Sequence, residues 1–325
     1  MFAVSFNSSA QAPDAKQLQE TAKTFMKQGD YPNATLVLNR ALQLDPQNIA
    51  ISKDLALNYY LQKDYSKALE TIKPVLDRDD ADDQCFQVAG NIYKSLGDDK
   101  ECEKVYKKGI KKFPESGALY NDWGELLFAQ RNVDAIKQWE KGIEQDPSFS
   151  RNYYNASKFY FLTTDKVWSI LYGEIFINME PLGNKTAEIK EMLLESYKKL
   201  FADVNLEQSN KAKNDFTKAY LQSMNKQTSQ ASLGLNAESL TMIRTRFILD
   251  WGNEFGSKYP YHLFDYQRQL LQEGMFEAYN QWLFGPVENL AAFQNWTNTH
   301  STEYSTFNNF QKARVFKMPE GQYYH

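Results

Sequence analysis

The chain has 325 residues, of which 42% are hydrophobic and 24% charged, and its net charge is −4 at pH 7. Acidic and basic residues are interleaved, whereas phosphate backbones are bound by clustered Lys and Arg, so nucleic acid is not an expected partner. No segment approaches the roughly 20 apolar residues that a membrane-spanning helix requires, so no transmembrane segment is predicted.

The first 12 residues differ from the rest of the chain. An apolar start is followed by small polar residues, and Ala10-Gln11-Ala12 matches the small-x-small pattern of a signal-peptide cleavage site. The basic start and longer apolar core of a complete signal peptide are missing. We therefore expect residues 1–12 to be a signal-peptide remnant, with export to the bacterial periplasm or cell envelope and a folded part beginning near Pro13. The alternative is a disordered tail on a cytoplasmic protein.

Proline spacing reveals a repeat. Pro46, Pro114, Pro147 and Pro181 are separated by 68, 33 and 34 residues, and Asp80 stands midway through the longest gap. Because proline cannot continue a helix, a proline every 34 residues predicts helical units of that length.

The residues between the prolines keep the same order in each unit. Small residues recur on both helices of a unit, which lets two antiparallel helices approach closely, and larger residues three or four positions away fill the space between pairs. A Gly-Asp turn, such as Gly29-Asp30, joins the two helices. The small positions are Ala22, Ala56, Gly90 and Gly124 on the first helices, and Ala34, Ala68 and Ala135 on the second.

This order of residues resembles the tetratricopeptide repeat (TPR) family from Ala15 to Pro181, with a looser fifth unit. The predicted repeats are 15–48, 49–82, 83–116, 117–149 and 150–183. The resemblance implies an all-α fold, a right-handed superhelix of antiparallel helix pairs, with a concave groove that binds a peptide or partner protein. Stacked repeats produce such concave surfaces in general.

Side chains on the first helices that point away from the packing face are the candidate groove residues. They mix polar donors with aromatic rings, which suits a peptide or an amphipathic helix. The alternative for the aromatic members is packing against neighbouring helices or the C-terminal region. The candidates are Lys23, Lys53, Leu57, Tyr60, Asn91, Lys94, Asn121, Glu125, Phe128, Tyr154, Lys158 and Phe161.

One known use of the family, gripping the C-terminal carboxylate of a chaperone tail, requires basic and Asn side chains in three successive units. The matching positions here hold Gln19, Lys23, Asp54, Gln84 and Val88. Only Lys23 is compatible, and Asp54 would repel a carboxylate, so this activity is not expected.

Residues 184–237 predict a diverged helical pair followed by a polar linker around Gln227–Gln230. Residues 238–325 hold 19 of the 47 aromatic residues and predict a helical C-terminal region. We expect helices from Ser239 to about Phe255, from Leu263 to Phe284, and from about Leu290. The aromatic tail is expected to dock, either on the open end of the repeat array or in the groove.

Chemistry-bearing residues are sparse. Cys85 and Cys102 are expected to be two buried thiols, with a disulfide as the alternative. Catalytic, nucleotide-binding and metal-binding motifs are missing, so we predict no catalytic residue, cofactor or metal. The weak candidates are Asp250 with Glu254, and His262 with Asp265.

The sequence thus predicts a non-catalytic scaffold or adaptor. The alternative is an enzyme or small-ligand-binding protein that uses the C-terminal region, with the repeats as a targeting arm. An enclosed pocket where His262 meets Asp250 or Glu254 would favour the alternative, and a filled aromatic cap would favour the scaffold.

Overall fold

A computed structural model describes residues 14–202, Leu206 and residues 214–325. The predicted all-α fold is confirmed, since no β-strand occurs among these residues. The proposed signal-peptide remnant, residues 1–12, lies outside them. None of the described helices combines the length and apolar character that crossing a bilayer requires.

The five predicted repeats form five consecutive helix pairs. Their helices are α1 Ala15–Lys27, α2 Tyr31–Leu44, α3 Ile49–Leu61, α4 Tyr65–Ile72, α5 Asp83–Leu96, α6 Asp99–Lys112, α7 Gly117–Ala129, α8 Ala135–Gln145, α9 Ser150–Phe161 and α10 Lys166–Met179. A short 3-10 turn, Lys73–Val75, extends α4.

Further helices make up the C-terminal half of the described chain. They are α11 Thr186–Leu200, α12 Asp215–Asn225, α13 Thr228–Ala231, α14 Ala237–Glu254, α15 His262–Gln272, α16 Phe276–Glu288, α17 Leu290–Thr299 and α18 Ser301–Lys312.

The turn inside the first pair shows why the helices begin and end where they do. Gly29 takes a φ of 76°, a left-handed conformation that glycine adopts without strain. Asp30 follows it, and its carboxylate accepts a hydrogen bond from the Asn33 N–H at 3.3 Å. This side-chain cap satisfies one of the free N–H groups at the start of α2.

Close helix approach depends on the small residues, as the repeat pattern predicts. A Cβ added at Gly90 of α5 would overlap the Tyr106 ring of α6, and one at Gly124 of α7 would overlap the Trp139 ring of α8. The same arrangement in two successive repeats is the structural reason for the 34-residue register.

The described chain divides into two compact units, one ending at Pro114 and one beginning at Glu115. The core of the first unit is mostly small and aliphatic, as with Leu18 and Ala22, although it also buries Phe86. The prediction of buried thiols is confirmed, because Cys85 and Cys102 are both buried and neither forms a disulfide.

The Cys85 thiol is held in its neutral form. Burial, together with a hydrogen bond to Asp82 at 3.1 Å, raises the pKa of Cys85 to about 12. A thiol that stays protonated at neutral pH is a poor nucleophile and metal ligand. Cys85 therefore acts as a small packing residue.

The second unit, from Glu115 onward, has a core dominated by large aromatic rings. Its largest fully buried side chains include Trp168, Tyr172, Tyr220 and Phe247. The rings meet in edge-on and offset contacts, such as Trp251 against Phe264 with 4.9 Å between centroids. The rings of the aromatic-rich C-terminal region thus pack into one core.

A buried ion pair crosses this aromatic core. Arg244 of α14 pairs with Glu174 of α10, and both side chains are 1% exposed. The same carboxylate oxygen accepts hydrogen bonds from Gln267 at 2.6 Å and from the Tyr279 hydroxyl at 2.7 Å. Arg244 also donates to Asn280. Three helices of the C-terminal region, α14, α15 and α16, thus meet the last helix of the repeats at one carboxylate.

The prediction of a single helix from Leu263 to Phe284 is wrong. The chain breaks into α15 and α16, because Gly274 takes a φ of 73° and ends the first helix. The predicted end at Phe284 is also wrong, since α16 runs through Pro286 to Glu288.

Lys190 explains how α16 tolerates an internal proline. Pro286 has no N–H to give to the carbonyl of Trp282 four residues earlier. The Lys190 ammonium of α11 donates to that carbonyl instead, at 2.7 Å, and lies 3.7 Å from the centroid of the Trp282 ring. Burial lowers the pKa of Lys190 to about 7.

The predicted polar linker is not an open linker. It contains the one-turn helix α13, and Ala231 and Leu235 pack against the core of the second unit. The tail docks, as expected: Phe316 and Met318 are buried, and Tyr324 stacks on Phe216 with 4.7 Å between centroids. We call residues 314–325 the C-terminal strap.

Candidate protein-binding site

The predicted groove lysines of the first unit, Lys23 and Lys53, are both paired with acidic side chains. Lys23 pairs with Glu20 at 2.9 Å and lies 3.9 Å from Asp54. Lys53 pairs with Asp82 and donates to Gln84 at 2.8 Å. Both lysines are therefore already engaged by acids of this chain.

The other candidates of the first unit are partly covered. Leu57, Tyr60, Asn91 and Lys94 are each of intermediate exposure. The Tyr60 ring packs on Tyr65 with 5.8 Å between centroids, so part of its surface is used inside its own repeat. These residues lie on the first helices of their pairs, as predicted.

In the second unit, the first helices of successive pairs enclose an apolar hollow of about 470 Å³, which we call the α9–α11 hollow. Its floor and walls are lined by Phe128, Trp139, Asn155, Lys158, Phe159, Phe161, Leu162, Glu188, Glu191, Met192 and Glu195.

The floor of the hollow is aromatic. Trp139 lies against Phe128 at 5.7 Å and against Phe159 at 6.4 Å between centroids, and its indole N–H donates to the Asn121 carbonyl at 3.3 Å. Phe128 and Leu162 remain 48% and 74% exposed. Such exposed apolar side chains at the mouth of a concave apolar surface are typical of binding sites.

The rim of the hollow on α11 is acidic. Glu188, Glu191 and Glu195 are spaced by three and four residues and so share one face of the helix. Glu188 accepts from Lys158 at 2.5 Å and from the Tyr154 hydroxyl at 2.9 Å, and the Lys158 ammonium holds the pKa of Glu188 below its usual value. Within the described residues, the exposed Glu191 forms no ion pair or hydrogen bond.

Two lysines contact the ring of Phe161, which lines the hollow. The Lys199 ammonium lies 3.8 Å from the centroid of the Phe161 ring. Lys166 lies on the same ring at 5.5 Å and donates to the Phe161 carbonyl at 2.8 Å. These cations bind an aromatic face and a carbonyl of the chain itself, whereas Glu191 is available to a partner.

Three of the twelve predicted groove residues, Phe128, Lys158 and Phe161, are brought together in this hollow. Asn121 and Glu125 lie next to it through Asn155, whose amide donates to Asn121 at 2.8 Å and to Glu125 at 3.5 Å.

Two candidates are corrected. Asn121 is fully buried and Tyr154 is 7% exposed, so neither offers a surface to a partner. Asn121 is covered because its side chain bonds within the chain to Asp122 and Asn155, and Tyr154 because its ring packs on Phe176 at 5.2 Å.

The sequence prediction missed the α11 side of the hollow, although the repeat register could have found it. Adding 34 to Tyr154, Lys158 and Phe161 gives Glu188, Met192 and Glu195. Those residues line the same face one pair further on. The helix α11 therefore continues the groove as the first helix of a sixth unit, even though the signature residues of that unit are lost.

The weak catalytic candidates do not converge. Glu254 pairs with Lys226, which also lies 3.9 Å from Asp250, so both carboxylates are engaged on the surface. His262 lies on α15, where its ring stacks on Phe316. Among the described residues, no cluster of three or more His, Cys, Asp or Glu side chains is suited to hold a metal ion.

Comparison with protein families identifies the class of protein. Two family descriptions of the tetratricopeptide repeat match the chain, one over residues 25–92 and the other over residues 84–112. Residues 25–112 of the chain therefore carry tetratricopeptide repeats. This fold supports a protein-interaction scaffold as its general class of function.

A curated relative is the BBSome complex member BBS4 of Bos taurus, 25% identical over 198 residues, which are 61% of this chain and 36% of that protein. The chain thus spans little more than a third of this relative's length.

Two solved structures of tetratricopeptide repeat proteins are similar to parts of this chain. A tetratricopeptide repeat protein of Parabacteroides merdae is 16% identical, with a TM-score of 0.43, and the match covers 79% of this chain and 97% of that one. A thermophilic TPR protein of Thermus thermophilus is 15% identical, with a TM-score of 0.45, covering 57% and 99%.

Proposed function

We propose that this protein is an interaction scaffold whose α9–α11 hollow receives an amphipathic segment of a partner protein. The partner inserts at least one large apolar side chain and carries Lys or Arg next to it. The observation that carries the proposal is the pairing of an exposed apolar mouth with an acidic helix face in one concave site.

The apolar part of the proposal rests on exposure. Phe128 and Leu162 lie at the mouth, and Met192 lines the hollow beside them. Covering apolar surface stabilises a complex by about 25 cal/mol per Å². One inserted aromatic or leucine side chain therefore supplies most of the binding free energy of a weakly bound peptide.

The basic part rests on charge. Glu188 and Glu195 are matched by Lys158 and Lys198 of the chain itself, at 2.5 and 2.7 Å. Glu191, between them on the same helix face, has no such partner among the described residues. A Lys or Arg of the bound segment would complete this row, which gives the site specificity for a basic peptide.

The experiment starts from peptides selected by the full chain from a random displayed library. Binding of the selected peptides is then measured by fluorescence anisotropy. We expect sequences with a large apolar residue flanked by Lys or Arg. Leu162→Asp should weaken their binding by about tenfold or more, because it places a charge at the apolar mouth.

Matched controls separate the site from general surface effects. Leu233 is 80% exposed and lies outside the hollow, so Leu233→Asp should leave binding unchanged. Glu191→Lys should weaken basic peptides by roughly three- to tenfold, whereas Glu70→Lys on α4 should not. Selected peptides that bind Leu162→Asp as well as the wild type would refute this site.

The competing function is an enzyme built in the C-terminal region. The candidate catalytic residues provide no observation in its favour. Asp250 and Glu254 face Lys226, and His262 faces Phe316. The name of the curated relative describes a member of a multi-protein complex, which agrees with a scaffold as the proposed function.

A further inference from the structure

The second unit also contains a cavity of about 290 Å³ beside the C-terminal strap, which we call the strap cavity. This volume lies near the lower limit of small-molecule sites and fits a single substituted ring or one amino acid. It is lined by Asn178, His262, Asp265, Tyr266, Gln269, Gln311, Arg314, Val315 and Phe316, none of which lines the α9–α11 hollow.

The walls of the strap cavity are held in place from two sides. His262, Tyr266 and Gln269 are spaced by four and three residues, so they share one face of α15. The His262 ring stacks on Phe316 of the strap at 5.2 Å, and its backbone N–H donates to the Gln322 side chain at 2.6 Å. The cavity is therefore built by packing contacts and hydrogen bonds.

Asn178 brings an unpartnered acceptor to the strap cavity. It is 6% exposed, and its amide nitrogen donates to the Glu174 carbonyl at 2.8 Å and to the Tyr279 hydroxyl at 2.7 Å. Because a backbone carbonyl only accepts, the orientation of this amide is fixed. Its Oδ1 is buried and receives no hydrogen bond from any described residue.

Gln311 of α18 supplies the opposite polarity. Its Nε2 is likewise buried and finds no acceptor within the described part of the chain. Buried polar atoms in folded proteins are nearly always paired. An unpaired acceptor and an unpaired donor around one cavity call for a ligand that offers both an N–H and a carbonyl oxygen.

Both charged residues that line the strap cavity, Asp265 and Arg314, are engaged by side chains of the protein itself, so the two unpaired amide atoms define the ligand. Asp265 pairs with Arg268 at 2.8 Å, and Arg314 donates to Gln269 at 2.6 Å. Burial lowers the pKa of His262, so its ring is neutral near pH 7 and offers one further donor or acceptor.

We propose that the strap cavity binds a small molecule that carries an amide group, with its N–H donated to Asn178 Oδ1 and its carbonyl accepting from Gln311 Nε2. The Phe316 and Tyr266 rings would contact the apolar part of this molecule. A ring-bearing amide of about the size of benzamide matches both the polarity and the volume.

The test compares three probes by NMR on the full chain: benzamide, N,N-dimethylbenzamide, which lacks the N–H, and benzoate, which is charged. We expect millimolar binding of benzamide, with shifts of the Asn178 and Gln311 side-chain amide signals. The dimethyl amide and benzoate should each bind about tenfold more weakly or worse, since neither offers an N–H to Asn178 Oδ1.

Two variants locate the binding. Val315 lines the strap cavity at the protein surface, where it is 80% exposed, so the larger ring of Val315→Trp should cover the cavity and abolish binding of benzamide. Leu182 is 87% exposed and lies elsewhere, so Leu182→Trp is the matched control for adding a surface Trp. Thermal unfolding of both variants checks that the fold is kept.

The proposal is overturned if no benzamide binding is detected up to its solubility limit, which would mean that water alone serves the two amides. It is equally overturned if the dimethyl amide binds as well as benzamide, or if Val315→Trp leaves binding intact. These outcomes leave the proposed peptide site unaffected, because the strap cavity and the α9–α11 hollow share no lining residue.

Discussion

The two compact units pack their helices together with different kinds of side chains. The unit that ends at Pro114 places alanines and glycines where helices cross, as with Ala22 and Gly90, and its core is mostly aliphatic. The unit that begins at Glu115 instead surrounds a buried ion pair with aromatic rings. Helices that follow one repeat register need to pack only against their neighbours along the chain. Irregular helices need specific contacts that select one packing arrangement.

The largest expected effect tests whether the second unit depends on its ion pair. Arg244→Met leaves the Glu174 carboxylate buried and unpaired, which should lower the free energy of unfolding by about 3–5 kcal/mol. The exposed Arg246 on the same helix is the control, and Arg246→Met should change little. Urea unfolding measures both.

A second variant tests whether the unpaired charge of Glu174 causes this loss of stability. Adding Glu174→Gln to Arg244→Met removes the unpaired charge and should recover part of the loss. If Arg244→Met is no more damaging than Arg246→Met, the ion pair does not specify this unit.

The next effect concerns Lys190, whose pKa is lowered to about 7 from an ordinary value of 10.5. Between these values the unfolded chain binds one proton more than the folded chain, so stability rises as the pH rises. The slope approaches about 1.4 kcal/mol per pH unit, or roughly 2–3 kcal/mol from pH 7 to about pH 9.

Lys190→Met should flatten this slope, which urea unfolding at several pH values measures. Its absolute stability has a second contribution, because the Trp282 carbonyl loses its donor. The slope is therefore the quantity to compare, with Lys198→Met on the exposed face of α11 as the control. A variant whose slope equals that of the wild type would show that Lys190 is not the titrating group.

The smallest effect tests the close helix contacts of the first unit. Gly90→Ala should destabilise by about 1–3 kcal/mol, because the new methyl group overlaps the Tyr106 ring. Gly252 of α14 has no neighbouring atom within 4 Å of an added Cβ, so Gly252→Ala should stabilise by about 0.5–1 kcal/mol through helix propensity. The same sign for both in thermal unfolding would contradict the contact.

The repeats could be predicted from the sequence because the residues that define each repeat lie close together along the chain. The proline spacing, the Gly29-Asp30 turn and the small residues each lie within one 34-residue unit. The same register extended by one unit would have predicted Glu188 and Met192 in the hollow.

The irregular part could not be predicted in the same way. Glu174 and Arg244 are 70 residues apart, and no periodic pattern relates them. The only signal was a charged residue on an otherwise apolar helix, since nearly every residue of α10 is buried. The break at Gly274 was available from the sequence, because glycine commonly ends helices, but the helical spacing on both sides concealed it.

The distance between Glu174 and Arg244 has a consequence for synthesis. At roughly 5–20 residues per second, the ribosome delivers α10 several seconds before the arginine that neutralises its carboxylate. During this interval the apolar faces of α10 and α11 have no covering helices from the C-terminal region. We therefore expect a chain that ends before α14 to expose this apolar surface and to aggregate or bind chaperones, and not to act as a shorter scaffold.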